Sequence, residues 1–305
     1  MRIVSLLPSA TEIAFALGLE ADVEGVTDGC DYPATASDKP VVSRSKLAVG
    51  ASASAADIDG AVRDAVKDGE PLYALDAELI NRIQPDLILT QDLCRVCAVP
   101  TSDVEEALDV LGCHADVLSL DPHTVEDVLE DIVRVGEHTD RSAAARQLVD
   151  ELRARIARVE ETATGLEPAS TFPLEWLEPP FSGGHWVPDL IVRAGGTPVL
   201  CAPGEHSRPL RWPDVAAAAP EVVAFMPCGY DLAAARKEAE GLAAIPELRD
   251  TPAWQDGRVW VVDATSYFSR PGPRIVDGLE LLAWAIHPGS FAEPPPGRVA
   301  AIAAR

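Results

Sequence analysis

The chain is short of lysine. It carries 4 Lys against 21 Arg, and its 25 basic residues face 49 acidic ones, a formal net charge of −24. A basic face for phosphate is therefore missing, which excludes ordinary nucleic-acid binding and disfavours an anionic membrane surface. An acid-rich, lysine-poor surface fits either adaptation to high salt or a high-GC genome. Cysteine is also scarce: six in 305 residues do not form a disulfide scaffold. No run reaches 18 apolar residues, so no membrane insertion is expected. The first residues, Met1 to Phe15, contain one Arg, a short apolar run and then Pro8, with no signal-peptide core. The expected location is cytoplasmic with reduced thiols; an upstream start would make it extracytoplasmic. Familiar catalytic signatures are missing too. There is no GxxxxGK[ST], no GxGxxG after a strand, no GxSxG elbow and no HExxH helix.

What is present is enough apolar material, 47 %, to build cores over about two domains. Short apolar runs alternate with helical patterns, which predicts α/β architecture with parallel sheets. Strands are expected at 2–6, 23–26, 86–90, 116–120, 171–176, 198–200, 221–226 and 258–262. Helices are expected after the Ser9-Ala10-Thr11-Glu12 capping box, within 50–72, and at 76–83, 104–111, 125–135, 186–193, 214–219, 232–242 and 274–286. One helix is much longer: Ala144, Leu148, Leu152, Ile156 and Val159 recur on one face between 141 and 162. The reading is an N-terminal lobe at 1–140, a bridging helix at 141–163, a C-terminal lobe at 164–290, and a Pro-rich, loosely held tail at 291–305.

In open α/β sheets, ligands bind beyond the carboxyl ends of the strands. Polar and aromatic loops fall there: 7–11, 30–33, 91–97, 175–186, 227–231 and 266–274. Of only 16 aromatics, Tyr32, Trp176, Phe181, Trp186, Tyr267 and Phe268 lie in these loops. That placement suits a large flat ligand, and the alternative is that these rings fill space under the loops. Cys94-x-x-Cys97 invites a metal or redox reading, with Cys30, Cys228 and His185 as further ligands; the alternative is small hydrophobic thiols. Cys113 and Cys201 read as core fillers. His185, after Gly183-Gly184 at a helix start, is either a metal ligand or a helix-capping histidine. His114, His123, His138, His206 and His287 are expected to lack clustered partners and to be surface or local hydrogen-bond residues. Glu175 and Glu178 form a possible acid–base pair with no nucleophile beside it, so no catalytic residue is assigned. Arg270 and Arg274 suit a carboxylate, amide or phosphate.

Six motifs in register over about 1–288 carry a resemblance. They are Ser5-Leu6-Leu7-Pro8-Ser9-Ala10-Thr11-Glu12, Asp31-Tyr32-Pro33, Gln84-Pro85-Asp86-Leu87-Ile88, Pro179-Pro180-Phe181-Ser182-Gly183, Ala194-Gly195-Gly196, and Ser269 to Arg274. The chain resembles the class III substrate-binding proteins of ferric-siderophore and vitamin B12 transporters, above all the B12 branch. The resemblance implies two Rossmann-like lobes joined by one bridging helix, a monomer, and a corrinoid or related metal chelate held in the cleft between lobes. Ser9 and Thr11 fall in the first motif. Tyr32 and Phe181 match aromatics on the corrin, and Tyr267 and Phe268 match a closing loop. Trp176 and Trp186 would pack the ring together with Tyr32, Phe181 and Tyr267, His185 would approach cobalt, and Arg270 the side-chain amides; Glu175 is a further ligand-binding candidate. Glu78 and, approximately, Asp214 match the acids that dock such proteins on an ABC permease. The cysteine-bearing loops resemble a cytoplasmic subgroup labelled cobalamin-binding. The alternative function is a metal- or iron–sulfur-bearing cytoplasmic enzyme or sensor using Cys30, Cys94 and Cys97.

Overall fold

The computed structural model describes residues 1–47, 55–68, 72–92, 99–104, 108 and 114–302. The chain divides into two compact units. The first comprises Met1–Ala53, Asp57–Pro122 and Asp127–Asp150; the second comprises Ser54–Ala56, His123–Glu126 and Glu151–Arg305. Each is a sheet with helices, so the architecture is two-lobed α/β.

The first unit holds β1 (Ile3–Ser5), β2 (Val23–Thr27), β3 (Val41–Ser45), β4 (Tyr73–Leu75), β5 (Leu87–Thr90) and β6 (Asp116–Ser119) in the order β4-β3-β2-β1-β5-β6. All neighbours run parallel except β3 and β4. β1 and β5 are buried along their whole length, the polar Ser5 and Thr90 included, because both of their faces are covered. Val4, Leu6, Val42, Ile80 and Ile88 form the core.

The second unit holds β7 (Ala169–Trp176), β8 (Phe181–Ser182), β9 (Gly196–Pro198), β10 (Val222–Phe225), β11 (Val259–Val262) and β12 (Val299–Ala301). The order is β12-β11-β10-β7-β8, with β9 beside β7. The pairs β7–β10, β10–β11 and β7–β9 are parallel, while β8 and β12 are antiparallel edges. Phe172, Leu174, Phe225, Val223 and Val261 form its core.

The long helix runs Ser142–Ala163. The helix Trp186–Arg193 falls where the pattern placed it. Four expectations need correction. Ser9 caps nothing: the first helix starts at Pro8, with Leu7 as its cap residue and no side-chain cap. Proline's fixed φ suits that first position, so the helix opens one residue before the expected box. β3, β4 and β8 were not anticipated. The helix expected at 232–242 ends at Glu238 and continues as a 3-10 segment, Ala239–Ala244. The tail is tied down at Val299–Ala301, which pairs with Val262–Trp260. Among the described residues, no helix is long and apolar enough to cross a membrane.

Candidate functional site

In the first unit, the loops after β1 and β2 meet below the surface. Thr11 Oγ1 donates to Ser5 Oγ at 2.8 Å, and Ser5 Oγ donates to the Leu7 carbonyl at 3.0 Å. Cys30 Sγ lies 3.1 Å from Thr11 Oγ1. Thr11 Oγ1 also lies 3.4 Å from the Leu7 carbonyl, so the Cys30 thiol joins a buried hydroxyl cluster that ends on Leu7. Thr11, Ser9 and Cys30 are all buried. Thr11 therefore holds the two loops together from beneath. Tyr32, on the same β2 loop, is 46 % exposed, and is the aromatic that this loop offers to solvent. After β5 and β6, the Asp92 N–H donates to Asp121 Oδ1 at 2.6 Å, and Ser119 Oγ donates to Asp121 Oδ2 at 2.6 Å. Cys94, Cys97 and Cys113 lie outside the described residues.

In the second unit, hydrogen bonds join the loops beyond β7, β10 and β11. Cys228 N–H donates to the Glu175 carbonyl at 3.3 Å, Gly229 N–H to Ser269 Oγ at 3.2 Å, and Thr265 N–H to the Tyr230 carbonyl at 3.1 Å. Trp176 and Tyr230 meet edge to face, with ring centroids 5.8 Å apart. The indole N–H of Trp176 is buried and makes no hydrogen bond to any described residue. Trp186 differs: it is 7 % exposed, and its N–H donates to the Phe268 carbonyl at 2.9 Å. Phe268 is itself buried. These two rings support the loop rather than face outward. Tyr267 is half-buried, with the Arg298 guanidinium 5.0 Å and that of Arg274 5.9 Å from its ring centre. Arg270, in the same loop, is buried.

The Gly183-Gly184-His185 turn follows from close backbone packing. A Cβ on Gly184 would stand 2.1 Å from the Ser207 nitrogen, and one on Gly183 would stand 2.9 Å from Pro173 Cβ. His185 adopts φ 54°, a left-handed conformation that non-glycine residues seldom hold without outside constraint. The constraint is visible: His185 N–H donates to the Glu205 carbonyl at 2.6 Å, and Gly204 N–H donates to the His185 carbonyl at 3.0 Å. Ser182 N–H to the Arg208 carbonyl at 3.1 Å and Ser207 Oγ to the Ser182 carbonyl at 2.8 Å extend the seam. This places His206 against His185, with Nε2 of His185 3.0 Å from Nδ1 of His206. His123 joins them, its ring centre 5.7 Å from that of His185 and 5.5 Å from that of His206. Burial pushes the His185 pKa down to about 4, and its two histidine neighbours act in the same direction.

The histidines correct the sequence reading. His123 and His206 are clustered, and His185 has imidazoles beside it. They stand 62 and 21 positions from His185, spacings that follow no helix or strand period. The one available signal was the Gly-Gly pair, which marks a close backbone approach. Among the described residues, neither Cys30 nor Cys228 joins a group of three potential metal ligands. Cys201 is a half-buried thiol, pushed up to about 12 by burial. Glu78 is exposed in the first turn of the helix Ala77–Ile83. Asp214 instead accepts two hydrogen bonds from Arg211, at 2.7 and 3.0 Å, which hold its carboxyl below the usual range.

A family model described as periplasmic binding protein matches residues 3–265. A cobalamin-binding protein of Halobacterium salinarum is 25 % identical over 293 residues, covering 94 % of this chain and 69 % of its own. The crystal structure of a periplasmic vitamin B12 binding protein of Vibrio cholerae has a TM-score of 0.68 at 20 % identity, over 93 % of this chain and 96 % of its own. That of a periplasmic heme binding protein from Pseudomonas aeruginosa has a TM-score of 0.72 at 22 % identity, over 100 % and 98 %. The two crystal structures share the fold.

Proposed function

The chain belongs to the periplasmic binding protein family, and from that we propose that it is a binding protein whose substrate is a corrinoid such as cobalamin, or a closely related metal chelate. The observation that carries the proposal is the cobalamin-binding relative, which aligns along 94 % of the chain. The chemistry of the second unit's strand-end loops supports it. The Trp176–Tyr230 pair offers apolar ring edges to a macrocycle, and the unpartnered Trp176 N–H suits an amide carbonyl at a corrinoid's rim. Tyr32 and Phe181 would add aromatic contact, and Tyr267 would do so from its own loop. Trp186, Phe268 and Arg270 would act from below, by holding that loop in place. The helix Ser142–Ala163, with residues assigned to both units, is the proposed connection between lobes. A permease partner would engage Glu78 more readily than Asp214, whose charge is already paired with Arg211.

The test is titration of the purified chain with cyanocobalamin and hydroxocobalamin, followed by heat and by the corrin absorbance. One equivalent should bind, and Trp176→Ala should weaken binding at least about tenfold, the loss of one well-buried aromatic contact. No heat and no spectral change with either corrinoid sinks the proposal.

A further inference from the structure

We propose that His123, His185 and His206 form a binding site for a single divalent transition-metal ion, with zinc as the type ion, within the second unit. Each of the three presents one ring nitrogen, and these nitrogens lie within 4.8 Å of one another. The closest pair, His185 Nε2 and His206 Nδ1, is at 3.0 Å. Two nitrogens on a tetrahedral zinc stand about 3.3 Å apart, from Zn–N bonds of about 2.05 Å. That pair therefore opens by about 0.3 Å to accept the ion, and His123 closes in by rotating its side chain.

The site is built rather than incidental. Three separate segments deliver the rings, and each is fixed by its backbone. His185 is held in its left-handed conformation by the hydrogen bonds to Gly204 and Glu205. His206 is held by the approach of Ser207 to Gly184. His123 precedes Val125, whose N–H donates to Asp189 Oδ2 at 3.0 Å. Anchored ligands are what a metal site needs, because disordered histidines would have to be ordered at the expense of affinity.

Donor type sets the ion class. The group contains three imidazoles and no carboxylate, which excludes calcium and magnesium and suits zinc, copper, nickel or cobalt. On binding, the proton shared between His185 and His206 moves to a ring nitrogen facing away, so both lone pairs meet the ion and no charge is lost from the rings. Three protein ligands leave a fourth position for water or an added donor, the pattern of an open zinc site. His206 is exposed, so ions enter from solvent.

The experiment uses the full chain, stripped with chelator, desalted and kept free of corrinoid. Titration with Co²⁺ should give visible ligand-field bands of a tetrahedral nitrogen–oxygen site at one equivalent, displaced by Zn²⁺. His206→Ala changes an exposed loop side chain and leaves folding intact; it should weaken Co²⁺ binding by more than about 100-fold, since removal of mere supporting partners already costs 10–100-fold. His123→Ala should act similarly, while His138→Ala, at a histidine bonded to the Arg134 carbonyl, should change nothing. Absence of ligand-field bands overturns the proposal. So does cobalt binding that survives His206→Ala, or that shows thiolate charge transfer. Corrinoid titration of the same sample reports separately, so the two proposals fail independently.

Discussion

His185 and His206 face each other at 3.0 Å because Gly184 allows Ser207 to pass within contact of its backbone. Gly184→Ala puts a methyl group where the Ser207 nitrogen now sits, and neither backbone is free to yield. The variant should lose about 1–3 kcal/mol, the usual cost of overpacking, in a urea denaturation. It should also weaken Co²⁺ binding by displacing His206. Wild-type stability in this variant would show that the seam is loose.

Trp176 and Trp186, two of the six tryptophans of the second unit, should separate structure from binding. Trp186→Phe leaves the Phe268 carbonyl without its donor and should cost about 1–3 kcal/mol. Trp176→Phe removes an N–H that has no described partner and should leave stability within about 0.5 kcal/mol, while weakening corrinoid. Urea midpoints and corrinoid titrations of the pair check both halves. An unstable Trp176→Phe would mean that the indole N–H is held by the fold.

Asp131 gives a pH signature. Burial raises its carboxyl to about 6, against the opposing pull of the Arg134 hydrogen bond at 2.6 Å, and Asp121 and Asp127 raise it further. Desolvation wins because the side chain is only 6 % exposed and Oδ2 finds no described partner. The folded state then holds the proton more tightly than the unfolded state. Its contribution is fully present below the unfolded value of 3.8 and is lost as pH rises through about 6. The loss is at most about 3 kcal/mol, since each pH unit between the two values is worth about 1.4 kcal/mol. Asp131→Asn should remove this downward slope between pH 4 and about 6.5 in denaturation curves. An unchanged slope counts against it.

Arg155, on the helix Ser142–Ala163, forks onto Glu280 at 2.9 and 2.7 Å and reaches Asp277 at 2.6 Å. These acids raise its already high pKa. The group is 28 % exposed and Glu280 44 %, so solvent screens the pairs. Arg155→Ala should cost about 1–2 kcal/mol. Arg155→Lys should recover less than half, because one ammonium does not reproduce the planar fork. Thermal melts across a salt series check this, and the difference should narrow as salt rises.

The strand-and-helix order was readable because each element carries its own pattern. Leu87, Ile88 and Leu89 form an unbroken apolar run, and Ala144 to Val159 repeats at helical spacing. Where an element depends on a partner far along the chain, the pattern is silent. β4 is three residues with no buried member, and β12 is three residues after a proline run. The aromatic loops were found, but the division between outward rings and loop supports was not. Trp176 and Trp186 look alike in sequence, and only the Phe268 carbonyl distinguishes them. The histidines were missed for a related reason: loops that meet through backbone hydrogen bonds leave no periodic trace.

The pairing of Val299–Ala301 with Val262–Trp260 has a further consequence for how this protein behaves in concentrated solution. β11 is mostly apolar and would otherwise present a bare ladder of donors and acceptors, the template on which foreign strands add. A segment of only three residues occupies that rim. Protection against strand addition on this side thus rests on a short pairing that follows a proline run. Clipping before Val299 would convert a closed margin into an adhesive one without touching any group that meets a ligand.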